Sequence, residues 1–407
     1  MRLGALLLAL FLTLSSPPHV RAQSGSQPSD QFSPASRPGY TGDYACVGCH
    51  KEQSLPYQHT SHHLTSQLAT PQSILGLQHA ASDKLVISDP AKDPSQPGLS
   101  FTIAPKGDKF YETAVTGWPP DLQIRSEPLD LVTGSGTRGQ TYLYWQEDKL
   151  FELPVSYWTE GHRWINSPGY ENGSADFSRP INPGCLECHA TYIQALSDDP
   201  STNQFDRQSL IVGISCETCH GPGAAHVAKQ QAEPLHVHDA SILNPATFSR
   251  DRQIDGCALC HGGLQRQEIQ PAFSYVPGEP LSRFFKPLPG PLADHPDVHG
   301  NQVGLLEQSK CFLASPRMNC STCHDVHAPE QAATSYSAKC LTCHQWQSCG
   351  ESKRLGHSIV SNCIDCHMPV QPTNVIVSET AGKEARAEMR THWIKIYPRA
   401  HTAAPTK

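Results

Sequence analysis

Cys216-Glu-Thr-Cys219-His220 is one of seven copies of a Cys-x-x-Cys-His pentapeptide in a chain of 407 residues. Residues i, i+3 and i+4 lie on one face of a helical turn, so the two thiols and the imidazole of a copy can reach the same flat group. This pattern is the attachment signature of haem c, in which the cysteines form thioethers and the histidine binds the iron from one side. The expected thioether cysteines are Cys46, Cys49, Cys185, Cys188, Cys216, Cys219, Cys257, Cys260, Cys320, Cys323, Cys340, Cys343, Cys363 and Cys366, and the expected proximal histidines are His50, His189, His220, His261, His324, His344 and His367.

Other roles for the pentapeptide fit this sequence less well. A Cys-x-x-Cys pair also occurs in redox dithiols, and a Cys-x-x-Cys-His unit can be half of a zinc site. Zinc needs four ligands for each ion, which seven identical Cys-Cys-His units supply poorly. A disulfide framework gives no reason for a histidine after every pair. The sequence therefore predicts seven covalently bound haem c groups.

The N-terminus has the features of an export signal. Arg2 precedes an apolar run at 3–14, and Val20-Arg21-Ala22 offers a small-x-Ala cleavage site. This run is too short for a transmembrane helix, and no later segment approaches the roughly 20 apolar residues that span a bilayer. We expect residues 1–22 to be a signal peptide, and the mature protein to be periplasmic or extracellular and to lack a membrane span.

The composition indicates a core that is not built from aliphatic side chains alone. Hydrophobic residues make up 38% of the chain, which also holds 35 prolines and 22 histidines, whereas a typical globular protein is roughly 45–50% apolar. We expect porphyrins to fill much of the core of a mainly α fold with much irregular structure. The net charge of −7 gives no electrostatic case for nucleic acid or an anionic membrane as the main partner.

The segment between Cys46 and Cys185 has a different pattern. β-branched and aromatic runs at 85–88, 99–103, 110–115, 141–145 and 150–155 are bounded by turn residues, which predicts a small antiparallel β insertion between the first two motifs. The expected organisation is a signal peptide at 1–22, a flexible linker at 23–40, a first haem-binding segment at 41–80, the β-rich insertion at 81–170 and a six-haem-binding region at 171–400.

The remaining histidines decide whether each iron has a second axial ligand. Two axial histidines saturate an iron and suit it to electron transfer, whereas an open position lets a small molecule bind. We expect distal ligands among the histidines near the motifs, with His62 or His63 serving after the first motif. The candidate distal ligands are His62, His63, His226, His299, His327, His357 and His392.

Two cysteines, Cys311 and Cys349, lie outside the pentapeptides. An even remainder in an oxidising compartment suggests a disulfide bond. Such a bond would close a loop around the motifs at Cys320 and Cys340. Two separate free thiols are the alternative.

Several longer stretches resemble exported multihaem cytochromes c of the doubled Cys-x-x-Cys-His type, related to the tetrahaem cytochrome that serves hydroxylamine oxidation. The resemblance covers about residues 43 to 395. It implies closely stacked, mostly bis-histidine haems, sometimes with one five-coordinate iron. The stretches that carry it are Cys46-Val-Gly-Cys-His with Ser61-His-His63, Ile214-Ser-Cys-Glu-Thr-Cys-His-Gly-Pro-Gly-Ala-Ala-His226, Met318-Asn-Cys-Ser-Thr-Cys-His-Asp-Val-His327, Asn362-Cys-Ile-Asp-Cys-His-Met-Pro369, and Phe151-Glu-Leu-Pro-Val-Ser-Tyr-Trp158 with Ser167-Pro-Gly-Tyr170.

Two classes of function follow from these features. The first is an electron carrier that relays electrons between redox partner proteins, with no chemistry of its own. The alternative is a reductase of a small inorganic nitrogen or sulfur compound at one haem with an open axial position. Nitrite-reducing relatives often carry a Cys-x-x-Cys-Lys haem motif, and this sequence contains none. The sequence therefore favours the carrier.

Overall fold

The computed structural model describes residues 37–170, 174–232, 239–290, 292–297 and 300–397. The expected signal peptide, the linker before Arg37 and the candidate ligand His299 lie outside these ranges. Within the described residues, no helix has both the length and the apolar character needed to cross a bilayer.

The expectation of a mainly α fold was wrong, because the protein is 27% helical and 28% strand. The helices are short, since a Cys-x-x-Cys-His motif needs only one helical turn. The helices are α1 (Asp43–Val47), α2 (Lys51–Tyr57), α3 (Leu75–His79), α4 (Pro183–Glu187), α5 (Cys216–His220), α6 (Ala224–Ala232), α7 (Arg250–His261), α8 (Gln302–Leu306), α9 (Lys310–Ala314), α10 (Ala333–Cys340), α11 (Ser352–Leu355) and α12 (Ile364–His367).

Strands occur between the first two motifs and again after them. All the paired strands are antiparallel to their neighbours. The strands are β1 (Ser66–Leu68), β2 (Lys84–Ser88), β3 (Gly98–Lys106), β4 (Lys109–Trp118), β5 (Asp121–Pro128), β6 (Leu131–Thr133), β7 (Gly139–Gln146), β8 (Lys149–Glu152), β9 (Val155–Trp158), β10 (Arg163–Asn166), β11 (Ala190–Ala195), β12 (Phe205–Val212), β13 (Arg266–Glu268), β14 (Phe285–Pro287), β15 (Val370–Thr380) and β16 (Lys383–Arg390).

Two sheets form the region between the first two motifs. One has the strand order β2-β3-β4-β5, and the other has the order β1-β6-β7-β9-β10 with β8 on β7. Strand β3 alternates strictly, so that Leu99, Phe101 and Ile103 are buried, as expected for a strand with one face on a core. These side chains pack with Tyr142 and Tyr157 of the second sheet in one apolar cluster. The insertion is therefore a two-layer β structure with its own core, larger than the small unit expected.

Three hairpins extend the β structure into the haem-binding region. They pair β11 with β12, β13 with β14, and β15 with β16. The last hairpin packs Ala385 and Ala387 against Trp158 and Ile165 of the six-stranded sheet. The backbone N–H of Asn166 also donates to Thr380 Oγ1 at 2.9 Å. The C-terminal motif is thereby attached to the β sheets.

Candidate haem centres

The pentapeptides lie on helical turns, as their spacing requires. In several of them the backbone N–H of the histidine donates to the carbonyl of the first cysteine, which closes one turn. The donor and acceptor residues are His50 and Cys46 at 2.9 Å, His324 and Cys320 at 2.9 Å, His344 and Cys340 at 2.9 Å, and His367 and Cys363 at 3.1 Å. Both cysteines and the histidine of such a turn can therefore reach one porphyrin.

Polar side chains fix where three of these turns begin. Asn182 Oδ1 accepts from the N–H of Cys185 at 3.1 Å, and Asp43 Oδ1 accepts from the N–H of Cys216 at 2.9 Å. Asn319 forms a capping box with Thr322 around the turn that starts at Cys320. Caps of this kind satisfy backbone N–H groups that a short helix leaves unpaired. They also fix the position of the first cysteine of each motif.

Four proximal histidines face a second histidine ring across a similar gap. Two imidazoles that bind one metal ion from opposite sides have ring centroids about 6 Å apart, because each metal–nitrogen bond is about 2 Å long and the centroid lies about 1 Å further out. The observed pairs are His50 and His226 at 6.3 Å, His62 and His261 at 6.0 Å, His220 and His327 at 6.1 Å, and His324 and His392 at 6.2 Å. The spacing fits one iron between the rings of each pair.

The ring planes differ among the four pairs. The planes are 30°, 22° and 25° apart in the pairs that contain His50, His220 and His324. In the pair of His62 with His261 the angle is 75°. Three pairs are thus close to parallel and one is close to perpendicular.

Hydrogen bonds at Nδ1 leave Nε2 available in four of the eight paired imidazoles and in His367. A carbonyl or carboxylate acceptor at Nδ1 requires that nitrogen to carry the proton, which fixes the tautomer that can bind a metal through Nε2. The pairs are His220 with Leu243 O at 2.9 Å, His226 with Asp239 Oδ2 at 2.8 Å, His261 with Gln302 Oε1 at 3.2 Å, His367 with Lys395 O at 2.9 Å, and His392 with Arg390 O at 3.3 Å.

Burial keeps several of these rings neutral. It lowers the pKa of His392 to about 4. It also lowers the pKa of His62, His324 and His327 from the usual value. The neutral imidazole is the form that binds a metal ion, so the protonation state fits axial ligation.

The other candidate ligands lie elsewhere. The ring of His63 contacts that of Tyr57 at 5.9 Å, and its Nδ1 lies 3.5 Å from Asp43 Oδ2, so His62 and not His63 faces a proximal histidine. The ring of His357 lies edge-on against Trp346 at 5.4 Å.

Three proximal histidines remain outside the four pairs. His189 Nδ1 contacts Thr65 Oγ1 at 3.0 Å. Within the described part of the chain, neither His344 nor His367 faces a second histidine ring.

Thiols of different motifs are adjacent, which gives the order of the motifs in space. The first motif contacts the third, the fourth contacts the second and the fifth, and the sixth contacts the seventh. Besides the hydrogen bond with Cys320, the charge of Cys219 raises the pKa of Cys257, and besides burial the charge of Cys343 raises the pKa of Cys323. These effects place the third motif near the fourth and the fifth near the sixth. The adjacent thiols are Cys46 and Cys216, Cys188 and Cys260, Cys257 and Cys320, and Cys340 and Cys363. The motifs thus follow the order one, three, four, five, six and seven, with the second attached beside the fourth.

Sequence reasoning missed the groups that support the histidines. Asp239 lies 13 positions after His226, and no motif marks it as its partner. Tyr57 packs between His63 and His327, with ring centroids at 5.9 and 6.4 Å. Asp239 and Tyr57 belong to no recognisable motif, and the contact of Tyr57 with His327 joins distant segments, so the sequence did not identify them as partners.

Comparison with known proteins gives one family match and more distant relatives. The family of cytochrome c554 and c-prime matches residues 163–221. The multiheme cytochrome MtrA of Shewanella baltica is 24% identical over 193 residues, 46% of this chain and 45% of MtrA. The C-type polyheme cytochrome OmcC of Geobacter sulfurreducens is 25% identical over 166 residues, 40% of this chain and 20% of OmcC. The chain thus spans less than half the length of these two relatives.

A solved structure is similar over most of the chain. The outer cell wall cytochrome OcwA aligns with 88% of this chain and 80% of its own, with a TM-score of 0.52 and 18% sequence identity. At this identity the likeness concerns the fold alone.

Proposed function

We propose that this chain, a multihaem c-type cytochrome, carries seven covalent haems and relays electrons between redox partner proteins. One haem would be attached at each pentapeptide. The haem iron supplies reversible one-electron chemistry when bound. The residues of this chain would hold the porphyrins and orient the axial imidazoles, and burial favours the neutral form of His62, His324, His327 and His392.

The pairing of histidine rings is the observation that carries this proposal. We assign His226 as the distal ligand opposite His50, His62 opposite His261, His327 opposite His220, and His392 opposite His324. The centroid distances of 6.0–6.3 Å support each assignment. An iron with two protein ligands has no position for a substrate, so these four haems would only gain and lose electrons.

The adjacent thiols support a continuous relay. Cys46 lies beside Cys216, and Cys257 lies beside Cys320. The two thiols of each pair belong to different motifs. The thioether edges of the corresponding haems would therefore be neighbours. A chain of neighbouring haems would pass electrons from the first motif towards the seventh, with the second haem as a branch at the fourth.

The setting of this relay is also part of the proposal. A signal peptide at 1–22 would direct the chain to the periplasm or the cell exterior. The stretches around Cys216 and Cys320 support kinship with the tetrahaem cytochromes that serve hydroxylamine oxidation. In an exported protein of negative net charge, docking to redox partners would be transient and sensitive to salt.

The remaining cysteines would form a disulfide bond in that compartment. Cys311 and Cys349 are both partly buried. Besides burial, the charge of Cys311 raises the pKa of Cys340, and the charge of Cys349 raises the pKa of Cys363, so both cysteines lie near the sixth and seventh motifs. We expect non-reducing peptide mapping of the exported protein to recover a Cys311–Cys349 cross-linked peptide. Two alkylated thiols at these positions would contradict the pairing.

A reductase is the second candidate function. It is favoured by His344, which is exposed and, among the described residues, has no second histidine ring in front of it. An iron held there by one ligand could bind a small nitrogen or sulfur compound.

Protein-film voltammetry separates the two functions. A carrier gives reversible waves that nitrite, hydroxylamine and tetrathionate leave unchanged. A reductase gives a catalytic current with one of these compounds, and that result would overturn the proposal. His344→Met serves as the matched variant, because it changes the exposed site from which the second candidate is argued.

A further inference from the structure

Strand β5 is an edge strand with an unpaired side. It occupies one end of the order β2-β3-β4-β5, and within the described residues no strand pairs with its other side. Its residues 121–126 are exposed. Such an edge offers a row of backbone N–H and C=O groups to another strand.

The exposed face beside this edge is apolar. Ile124 is 69% exposed and Leu122 is 47% exposed. In the sheet, Ile124 lies opposite Val115 of β4, and Val115 lies opposite Ser100 of β3. Ser100 in turn lies opposite Val86 of β2, which is 43% exposed. A row that is apolar except at Ser100 therefore crosses the outer face and ends at the free edge.

The three charged residues of the strand, Asp121, Arg125 and Glu127, lie on its other face, and Arg125 Nε lies 3.2 Å from Glu127 Oε1. Arg125 is opposite Ala114 of β4, which is buried. The guanidinium of Arg125 lies 4.7 Å from the ring centroid of Phe177 and donates to Tyr144 Oη at 3.2 Å. Asp121 shares this face, because side chains alternate along a strand.

The sequence of the strand is complementary to itself when read in the opposite direction. An antiparallel pair centred on Gln123 sets Asp121 opposite Arg125 of the second copy, and Leu122 opposite Ile124 of that copy. Opposite charges and apolar side chains directly across a pair both stabilise it. The twofold symmetry of such a pair repeats both contacts.

Competing registers are less favourable. A twofold axis perpendicular to the sheet places the outer face of one copy beside the outer face of the other. Two residues that lie directly opposite each other must then point to the same face, so their residue numbers differ by an even number. A pair centred on Ile124 places Asp121 opposite Glu127, and a pair centred on Arg125 places two arginines together. Like charges directly opposite each other are destabilising. The register centred on Gln123 avoids both conflicts.

We propose that β5 is a self-association surface through which two copies of this chain pair antiparallel about Gln123. The two four-stranded sheets then form one sheet of eight strands. The contact covers Leu122 and Ile124 of both copies. Its area is smaller than that of a standard stable interface, so the dimer dissociates readily on dilution. This inference is independent of the number of haems and of their ligands.

Sedimentation equilibrium of the full haem-loaded protein tests the pairing. The wild type is expected to shift from monomer to dimer as its concentration rises. Ile124→Lys is expected to weaken the dimer at least about tenfold, because it places a charge against Leu122 of the other copy. The matched control is Lys84→Asp, a charge change on an exposed residue of β2 at the far edge of the same sheet, and it should not alter association.

Exchanging the charges at positions 121 and 125 tests whether the two strands pair about Gln123. Asp121→Arg alone opposes two arginines, and Arg125→Asp alone opposes two aspartates, so each variant should remain monomeric. In an equimolar mixture, the heterodimer has both ion pairs restored, and association should return. The carboxylate of Asp121 has no ion pair within the described residues, so Asp121→Arg should leave the fold intact. Arg125→Asp also removes the contacts of Arg125 with Glu127, Tyr144 and Phe177, so the return of association in the mixture is the decisive result.

Three results would overturn the proposal. They are a wild type that stays monomeric at all concentrations, a dimer that Ile124→Lys leaves unchanged, and a mixture of the two charge variants that does not associate. Far-ultraviolet circular dichroism and the haem absorption spectrum confirm that each variant is folded and loaded.

Discussion

Among the described residues, Asp239 contacts only one of the proposed axial histidines, His226. Its carboxylate accepts from His226 Nδ1 at 2.8 Å and from Lys229 Nζ at 3.0 Å. The N–H of Ser241 donates to the same carboxylate at 3.0 Å. Hydrogen bonds from Ser241 and His226 hold the pKa of Asp239 well below its usual range. A carboxylate partner makes an imidazole a stronger donor of electron density to a metal than a neutral carbonyl does.

We therefore expect Asp239→Asn to raise the reduction potential of one haem, the one assigned to His50 and His226, by tens of millivolts. A spectroelectrochemical titration measures this shift. Asp294→Asn is the matched control, because Asp294 contacts His295 at 2.6 Å in an exposed pair outside the proposed ligands. Unchanged potentials in Asp239→Asn would contradict this role.

The angle between the imidazole planes of His62 and His261 gives a second prediction. Nearly perpendicular axial planes give a low-spin ferric signal with a larger maximum g value than nearly parallel planes do. Because the planes of His62 and His261 are 75° apart, His62→Ala should remove such a signal from the electron paramagnetic resonance spectrum and add a high-spin one. His63→Ala is the neighbouring control and should retain it. Loss of this signal in His63→Ala instead would reverse the assignment.

The extent of β structure shows what the sequence could and could not predict about elements. The runs at 99–103 and 141–145 alternate or are rich in aromatic residues, so their strands were predictable. Strand β16, Lys-Glu-Ala-Arg-Ala-Glu-Met-Arg, consists of good helix formers, but it pairs with β15 and buries Ala385 and Ala387 against the sheet. Tertiary packing there overrides local preference, which is why the mainly α expectation failed.

Glu112 lowers the stability of the β insertion. Its side chain is fully buried on β4, and neither carboxyl oxygen has a hydrogen-bond partner of good geometry among the described residues. Burial raises the pKa of Glu112 well above its usual value. A buried polar group without partners costs stability.

Glu112→Met should therefore stabilise the insertion at neutral pH, on the order of 1–3 kcal/mol. Because folding raises the pKa of this carboxyl, the wild type loses stability as the pH rises from the unfolded value of about 4.3 towards the folded value. The gain should thus be larger at pH 7 than at pH 4. Chemical denaturation followed by circular dichroism measures it.

The exposed Glu160→Met is the control for that experiment, because Glu160 lies in a surface turn and should change stability little at either pH. A loss of stability in Glu112→Met, or a gain that is equal at both pH values, would contradict the account of Glu112.

At the scale of the whole molecule, distant segments meet at the candidate haem centres. The seven pentapeptides could be identified from the sequence because each is local, and the attachment of one haem at each of them stays a prediction. The partners within a pair were not, because His62 and His261, or His324 and His392, are brought together only by the fold. If one haem lies within each pair, it cross-links two segments of the chain, so haem loading and folding should be strongly coupled.

The pairing of histidines is tested most directly on the purified, oxidised protein. Intact mass gives the number of covalent haems, and near-infrared magnetic circular dichroism gives the number of irons with two histidine ligands. The account predicts seven haems, of which at least four are bis-histidine and low-spin. Fewer than four bis-histidine irons, or a mostly high-spin protein that binds carbon monoxide at most haems once reduced, would contradict it.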